Sequence, residues 1–158
     1  MIDNKLITSD NMTTIAWDGK TLAGDCCSWS GGVRRKTRKV FKIKSPTRGM
    51  LLVGFVGQQS FAYAVADWIK GERDIPNYKE FGVEPQNACA VVIDSKNRIY
   101  VLGCTLEFNL MRENIFAIGA GSEFAWGALE MGATSKQAVK IAEKRSDYAA
   151  MGIDCISF

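Results

Sequence analysis

The sequence predicts an α+β fold in which antiparallel sheets pack against helices. The apolar segments follow the order strands, helix, strands, two helices and a final strand, without internal repeats or low-complexity segments. Tight-turn residues separate neighbouring strand patterns, which is typical of antiparallel hairpins. The helical patterns are grouped and do not alternate with single strands. Such grouping favours layers of sheet and helix over an alternating parallel sheet.

The chain begins with a polar extension and a hairpin. Residues 1–12 lack a periodic apolar pattern, so we interpret them as an N-terminal extension or pro-segment that precedes a single domain over residues 13–158. Residues 13–23 predict two short strands around Asp18-Gly19, because Asp-Gly favours a two-residue hairpin turn.

Two further strands are predicted after this hairpin. Residues 28–32 are expected to form a loop, and residues 33–43 one long strand that leads into a turn around Pro46. Residues 50–55 form a continuous apolar run. A short run of this kind predicts a strand that is buried on both faces.

The first helix is predicted over residues 58–70. Gly71 and Pro76 end it, since both residue types interrupt a helical pattern. Its apolar side chains share one face at helical spacing. They are Phe61, Val65, Trp68 and Ile69. Residues 72–86 are expected to form a loop or a broken helix.

The second half of the chain predicts more strands and two helices. One helix is expected over residues 122–131, where Gly132 ends it. Another begins at Thr134, with Gln137 three residues later in the position of a capping box. The strands are expected at residues 88–93, 99–103, 115–119 and 153–158.

Composition excludes several kinds of functional site. The 158 residues include no histidine, and the net charge is +3. Ser-His-Asp and Cys-His catalysis are therefore excluded, and the base of a hydrolase would be an amine or a carboxylate. The five cysteines are scattered without a CxxC pair, which is typical of small buried apolar residues in a reducing compartment. We expect neither a metal site nor a cofactor.

The sequence also predicts where the protein resides. No apolar run reaches the ~18 residues that span a bilayer. The first residues lack the basic and then apolar layout of a signal peptide. These patterns predict a cytoplasmic protein without a membrane partner.

Basic residues are concentrated in one part of the chain. The run Arg34-Arg35-Lys36-Thr37-Arg38-Lys39 is followed by Lys42 and Lys44. It allows two interpretations: a patch that binds nucleic acid, or a solvated strand that carries one functional lysine. No RNA- or DNA-binding motif accompanies the run, which favours the solvated strand.

Thr13 is the candidate nucleophile. It stands directly before the first strand, and cleavage after Met12 would make it the N-terminal residue. An unperturbed α-amine has a pKa of roughly 7.7–8.0, so part of it is neutral near pH 7. Hydroxyl nucleophile and amine base would then come from one residue. A threonine that only begins a strand is the alternative.

The order and spacing of several motifs resemble those of proteasome β-subunits and the proteasome-like peptidase HslV. The resemblance extends over nearly the whole chain from Thr13 onward. It is carried by TTI (13–15), GD (24–25), RKVFKI (38–43) followed by GMLLVGFVG (49–57), and GAGSEFAWG (119–127). It implies the N-terminal-nucleophile hydrolase fold, a four-layer α-β-β-α sandwich of two antiparallel sheets between helix layers.

The resemblance also implies roles for individual residues. Thr13 would be the nucleophile, and Lys39 the buried lysine whose ammonium lowers the pKa values of the Thr13 amine and hydroxyl. Asp25 would pair with this lysine and hold it in place. Lys36 is the second candidate for the lysine, because the basic run offers more than one register.

Further roles concern the cavity and the surroundings of the nucleophile. Gly57 would donate its backbone N–H to the oxyanion, and Phe55 would form the base of the primary specificity pocket and make it shallow. Asp147 would help to orient the threonine. Without the resemblance, these residues would be interpreted as a helix-entry glycine, a core residue and a surface charge.

Two departures from the family pattern leave the enzymatic activity open. Ala120 stands where active members carry a serine beside the nucleophile, and Ala150 replaces a second accessory serine. The Ser122 hydroxyl is expected to compensate in part. Losing accessory hydrogen bonds slows amine-assisted attack.

Two functions follow from these patterns. The first is a threonine-type peptidase that acts on peptides or proteins within a self-associated ring, often fed by an ATP-dependent unfoldase. It requires exposure of Thr13, by autoprocessing of residues 1–12 or by removal of Met12 if that methionine is the natural start. The alternative is a catalytically silent structural or assembly protein, for example a virion-associated component of a phage, with an unprocessed N-terminus.

Overall fold

The computed structural model describes residues 13–30, 32–85, 88–145 and 151–158. Within these ranges the chain is a mixed α/β fold with antiparallel sheets and three α-helices. The strands are β1 (Thr14–Trp17), β2 (Leu22–Asp25), β3 (Cys27–Ser30), β4 (Val33–Lys36), β5 (Val40–Ser45), β6 (Gly49–Phe55), β7 (Ala88–Asp94), β8 (Ile99–Gly103), β9 (Phe108–Met111), β10 (Phe116–Gly119) and β11 (Ile153–Ile156). The helices are α1 (Gln59–Ile69), α2 (Ser122–Glu130) and α3 (Ser135–Arg145), and Tyr78–Phe81 forms a short 3-10 helix.

The described strands form three antiparallel sheets. One sheet has the order β10-β1-β2-β11, and a second runs β5-β6-β7-β8-β9. The third is the two-stranded hairpin of β3 and β4. The predicted antiparallel pairing is thus confirmed for every pair of strands that the structure describes.

Three apolar clusters connect these elements, and side-chain alternation explains them. Because successive residues of a strand point to opposite faces, Ile15 and Trp17 of β1 join one cluster and Ala16 joins another. The first two contact apolar residues of β5–β8. Ala16 instead packs with residues of α2 and α3. A third cluster joins α1 to the other face of the five-stranded sheet.

One close contact between the two larger sheets is possible only because of a glycine. A Cβ atom on Gly54 of β6 would lie 2.6 Å from Cγ2 of Ile15 in β1. On Gly24 of β2, a Cβ would lie 2.8 Å from Cδ1 of the same isoleucine. The Ile15 side chain therefore fills space that side chains at both glycines would occupy.

The turn after β1 is longer than the two residues that Asp18-Gly19 predicts. Four residues, 18–21, separate β1 from β2. The Asp18 carboxylate explains the difference, because Oδ1 accepts the backbone N–H groups of Lys20 and Thr21. Its Oδ2 accepts the N–H of Ser135, the first residue of α3. The aspartate thus closes the turn and caps a helix.

The predicted long strand over residues 33–43 is wrong. It is divided into β4 and β5, and β3 occupies most of the predicted loop at 28–32. All four side chains of β4 are exposed, whereas Lys39 is buried. The chain therefore has to leave the hairpin between the two strands. The Thr37 N–H donates to the Cys26 carbonyl at this point.

The helices follow the predictions closely. In α1, three of the four predicted apolar side chains are buried, and Trp68 is half-buried. The capping box before α3 is confirmed, since Thr134 N–H donates to Gln137 Oε1 and Gln137 N–H to Thr134 Oγ1. The edge strand β9 was not predicted, because its sequence lacks a clear apolar alternation.

Four of the cysteines are buried, as predicted, and Cys155 is exposed. All five are free thiols. Within the described ranges, the helices are too short and too polar to cross a bilayer.

Candidate active site

Thr13 lies immediately before β1, at the end of a strand that runs through the centre of its sheet. The residue is only 3 % exposed. Its carbonyl oxygen accepts the Ala120 N–H at 2.7 Å. Gly119 has φ +100°, and a Cβ at this position would collide with the Thr13 carbonyl. A glycine is therefore required where β10 passes the candidate nucleophile.

Asp25 is the last residue of β2 and is completely buried. Its carboxylate bridges two segments, because Oδ1 accepts the Thr14 N–H at 2.8 Å and Oδ2 accepts the Cys27 N–H at 3.1 Å. The bond to Thr14 places a fixed negative charge one residue from Thr13. Buried carboxylates need such donors, since an unpaired one is very costly.

Lys39 completes this arrangement. It lies between β4 and β5, with a side chain that is 10 % exposed, and its Nζ donates to Asp25 Oδ2 at 2.9 Å. Burial raises the pKa of Asp25, and the Lys39 ammonium and the two N–H donors oppose that rise. Lys36, the second candidate, is exposed on β4. The buried pair is therefore Asp25–Lys39.

Thr13 and Lys39 border one cavity of about 50 Å³. Gly57 lies on its wall with φ +93°, in the left-handed region that favours glycine. Phe41 and Phe55 also line it and pack edge to face, with ring centroids 5.8 Å apart. The structure thus brings the candidate nucleophile, lysine and oxyanion donor to one small, partly aromatic cavity.

Polar side chains from α1 and from the segment after β4 form another wall. Gln59 Nε2 donates to Thr37 Oγ1 at 2.7 Å and lies 2.8 Å from the Tyr63 hydroxyl. All three residues line the cavity, as does the exposed Arg38. This bridge ties the helix to the segment that carries Lys39.

Cys27 is a second potential nucleophile on the cavity wall. Burial raises the pKa of its thiol, although the Lys39 ammonium acts in the opposite direction. The thiolate is the reactive form of cysteine. A raised pKa therefore makes Cys27 a poorer nucleophile than an unperturbed thiol.

Glu143 of α3 is a charged neighbour that the sequence analysis missed. Its Oε1 is buried and accepts no hydrogen bond from the residues that the structure describes. Burial raises the pKa of Glu143, and the negative charge of Asp25 raises it further. The spacing of four residues from the buried Val139 could have revealed that Glu143 lies on the inner side of this helix.

Two predicted site residues, Asp25 and Ser122, do not line the cavity, and a third lies outside the described residues. Ser122 is the half-buried first residue of α2, two positions after Ala120, and is not among the cavity-lining residues. Asp147 lies outside the described residues, as does Ala150. In the described part of the chain, no group of three or more acidic or cysteine side chains could hold a metal ion.

Comparisons with known proteins identify the fold. No protein-family model matches the chain, and no curated protein sequence matches it. Solved structures, in contrast, do match the chain. The protein named BPH from Thiobacillus denitrificans has a TM-score of 0.67 at 15 % identity, covering 92 % of this chain and 96 % of that one. The same protein has also been solved in complex with epoxomicin.

Two other similar structures come from different organisms. The Anbu (Gly-1) mutant from Hyphomicrobium sp. strain MC1 has a TM-score of 0.66 at 14 % identity, covering 92 % of this chain and 81 % of that one. Eukaryotic HslV from Trypanosoma brucei has a TM-score of 0.63 at 16 % identity, covering 90 % and 97 %. The fold is of the proteasome type. At such low identity the likeness supports the architecture alone.

Proposed function

We propose that the chain is a proteasome-like threonine peptidase that becomes active when Thr13 is its N-terminal residue. The observation that carries the proposal is the cavity on which Thr13, Lys39 and Gly57 converge. The buried Asp25–Lys39 pair beside the nucleophile adds support, because a fixed charge pair in a desolvated site acts strongly on neighbouring groups.

The proposed reaction begins with the free α-amine of Thr13. The amine takes the proton from Oγ1 as this oxygen attacks a peptide carbonyl carbon. The tetrahedral intermediate collapses, the amide C–N bond breaks, and the amine returns its proton to the leaving nitrogen. Water then hydrolyses the ester on Oγ1, with the same amine as general base.

Lys39 and Asp25 would adjust the protonation of the nucleophile. The Lys39 ammonium lowers the pKa values of the Thr13 amine and hydroxyl, which increases the neutral amine near pH 7. Asp25 holds the ammonium in place and anchors the backbone of Thr14. The Asp25 carboxylate and the Ala120 N–H thus hold the backbone of the first two residues of the mature chain.

Gly57 would supply the backbone N–H for the oxyanion. Loss of one such donor typically costs about 100- to 1,000-fold in rate. The positive φ of Gly57 makes any other residue strained here. Phe55, on the cavity wall, would limit the size of the side chain that enters. Ser122 and Asp147 would act as accessory residues that orient the Thr13 amine.

We also infer how the domain is organised. Residues 13–158 would form one domain and residues 1–12 a pro-segment. The three apolar clusters support a four-layer arrangement, with α1, the five-stranded sheet, the four-stranded sheet and the pair α2–α3 as successive layers. By analogy with HslV, we propose self-association into rings, an ATP-dependent unfoldase as partner, and a cytoplasmic location.

The test is covalent labelling of a chain that begins at Thr13. A β-lactone that acylates threonine should add its mass to the N-terminal peptide, and Thr13→Ala should abolish labelling. Thr13→Ser should retain it, because serine keeps both the hydroxyl and the α-amine. Epoxomicin provides a second probe, since it is bound to the Thiobacillus protein.

The control is the chain that retains residues 1–12. Its Thr13 nitrogen is an amide and not a base, so labelling should be absent until these residues are lost. A chain that begins at Thr13, folds and resists both reagents would overturn the proposal. That result would leave the catalytically silent assembly protein as the function to test.

A further inference from the structure

Three basic residues lie on the wall of the cavity or one strand away from it. Arg35 and Lys36 lie on β4 and Arg38 on the segment that follows, and all three are exposed. We refer to these three residues as the basic rim. Within the described ranges, the salt bridges that form are Lys39–Asp25, Lys70–Asp67 and Arg98–Asp94, and none of them includes the basic rim.

Strand register places the basic rim next to the cavity. Lys36 is the cross-strand partner of Cys27, and Arg35 is the partner of Ser28. Cys27 and Ser28 line the cavity, and Arg38 lines it directly. Paired residues in an antiparallel ladder have Cα atoms about 4.5–5.5 Å apart. The backbones of Arg35 and Lys36 therefore lie one strand away from residues that line the cavity.

Apart from Arg38 and Lys39, the residues that line the cavity carry no charge. Phe41, Phe55 and Ala62 are apolar, and the buried Lys39 ammonium is paired with Asp25. A positive field of this kind acts on residues beside the one that enters the cavity. It attracts anionic groups and steers their approach.

We propose that the site selects peptide segments that carry acidic residues next to the residue in the cavity. The proposal rests on the proposed peptidase function and adds a substrate class to it. Exposed ion pairs contribute little individually, about 1.4- to 5-fold in affinity for each pair. Two pairs together give roughly ten-fold selection over an uncharged peptide of the same length.

The first experiment compares two fluorogenic peptides on the chain that begins at Thr13. Both contain the same leucine for the cavity, and they carry either two glutamates or two glutamines beside it. The glutamate peptide should have about ten-fold higher kcat/KM at 0.1 M salt. At 1 M salt the preference should fall to within two-fold, because the Debye length shrinks from about 10 Å to about 3 Å.

Charge variants locate the effect on the surface. Arg35→Gln with Lys36→Gln should remove most of the preference and leave kcat/KM for the glutamine peptide nearly unchanged. The matched control is Lys20→Gln with Lys96→Gln, which removes the same charge from two exposed turn lysines. If the control reduces the preference as much as the first variant does, the basic rim is not the selecting surface.

A binding measurement keeps the test independent of the chemistry. Fluorescence anisotropy on the full chain with Thr13→Ala should show the same preference for the glutamate peptide. If no peptide is cleaved but this preference persists, the peptidase proposal fails and the selection stands. Equal binding of both peptides overturns the selection. Tight, salt-sensitive binding of single-stranded DNA that Arg35→Gln with Lys36→Gln abolishes would reassign the surface to nucleic acid.

Discussion

Two aspartates of this molecule make the same kinds of contact, but the cation of one is buried and the cation of the other is exposed. Asp25 and Asp94 each accept two backbone N–H groups and pair with one cation. The side chains of Asp25 and Lys39 are 0 % and 10 % exposed, whereas those of Asp94 and Arg98 are 9 % and 53 % exposed. Asp94 closes the turn between β7 and β8, whereas Asp25 holds Lys39, which lines the cavity.

The pKa shifts of Asp25 and Asp94 show how burial changes the effect of otherwise similar contacts. Burial raises the pKa of Asp25 despite the Lys39 ammonium. Burial also opposes ionisation of Asp94, but there the hydrogen bonds from Arg98 and Lys96 prevail and lower the pKa. Hydrogen-bond donors and a paired cation alone therefore do not determine the direction of a carboxyl's pKa shift; its burial contributes as well. The buried pair is a charged arrangement kept at an energetic cost, which is common at functional sites.

The largest expected effect comes from breaking the buried pair. Lys39→Ala leaves the Asp25 carboxylate buried without its cation, and it should lower the free energy of unfolding by about 3–5 kcal/mol at pH 7. Chemical denaturation measures this. Lys36→Ala on the exposed β4 is the matched control and should change stability by less than about 0.5 kcal/mol.

The pH dependence distinguishes charge from packing as the cause. A buried carboxylate without its cation takes up a proton more readily, so the cost of Lys39→Ala should shrink as the pH is lowered from 7 to 5. A loss of stability that is equal at both pH values would attribute the effect to packing and would contradict the electrostatic explanation.

Replacing Asp94 should lower the free energy of unfolding by less than replacing Lys39 does. Asp94→Ala removes the acceptor of the Lys96 and Arg98 N–H groups, and it should cost about 1–2 kcal/mol at pH 7 because water replaces part of the lost bonding. Since its folded-state pKa is lowered, the contribution of Asp94 is present above its ordinary pKa and is lost as the pH falls through the lowered value. Urea unfolding at pH 7 and pH 3 checks both statements.

Replacing Arg98, the cation that pairs with Asp94, should lower stability by still less. Arg98→Ala removes an exposed cation, and it should lower the free energy of unfolding by less than Asp94→Ala does, because exposed ion pairs contribute little. High salt should reduce the difference further. If Arg98→Ala lowers the free energy of unfolding as much as Lys39→Ala does, the exposure of the cation does not explain the difference between the Asp25–Lys39 and Asp94–Arg98 pairs.

Glu143→Gln should give the smallest effect, of opposite sign. Because its folded-state pKa is raised, Glu143 stabilises the fold least when ionised, and stability declines as the pH rises from its ordinary pKa through the raised value. The variant should therefore melt slightly higher than the wild type at pH 7.5 and equally at pH 4. Thermal melts at the two pH values measure this. Glu123→Gln, an exposed change on α2, is the control.

Local signals were sufficient to predict most elements from the sequence. The apolar face of α1 and the Thr134–Gln137 capping box depend on neighbouring residues, and both are present. The break between β4 and β5 was missed, because it depends on Lys39 reaching an aspartate fourteen positions earlier in the chain. Distant partners of this kind leave no local pattern.

The candidate site likewise combines residues that the sequence indicates with features that only the structure reveals. Motif order selected Thr13, Asp25 and Lys39 but left Lys36 as an alternative, and only burial separates the two lysines. Glu143 was missed because a single glutamate on a helix is usually solvated. The catalytic role of every one of these residues stays a prediction.

The contact between Ile15 and Gly54 has a consequence for any attempt to tune the site. Thr13 lies two residues before Ile15, and Gly57 lies three residues after Gly54, so the proposed nucleophile and the proposed oxyanion donor adjoin strands of different sheets. The isoleucine acts as a spacer that sets the gap between those sheets. Under the proposed function, Ile15 would set the distance between the nucleophile and the oxyanion donor, and a change in the size of its side chain would lower the rate without altering either reacting group.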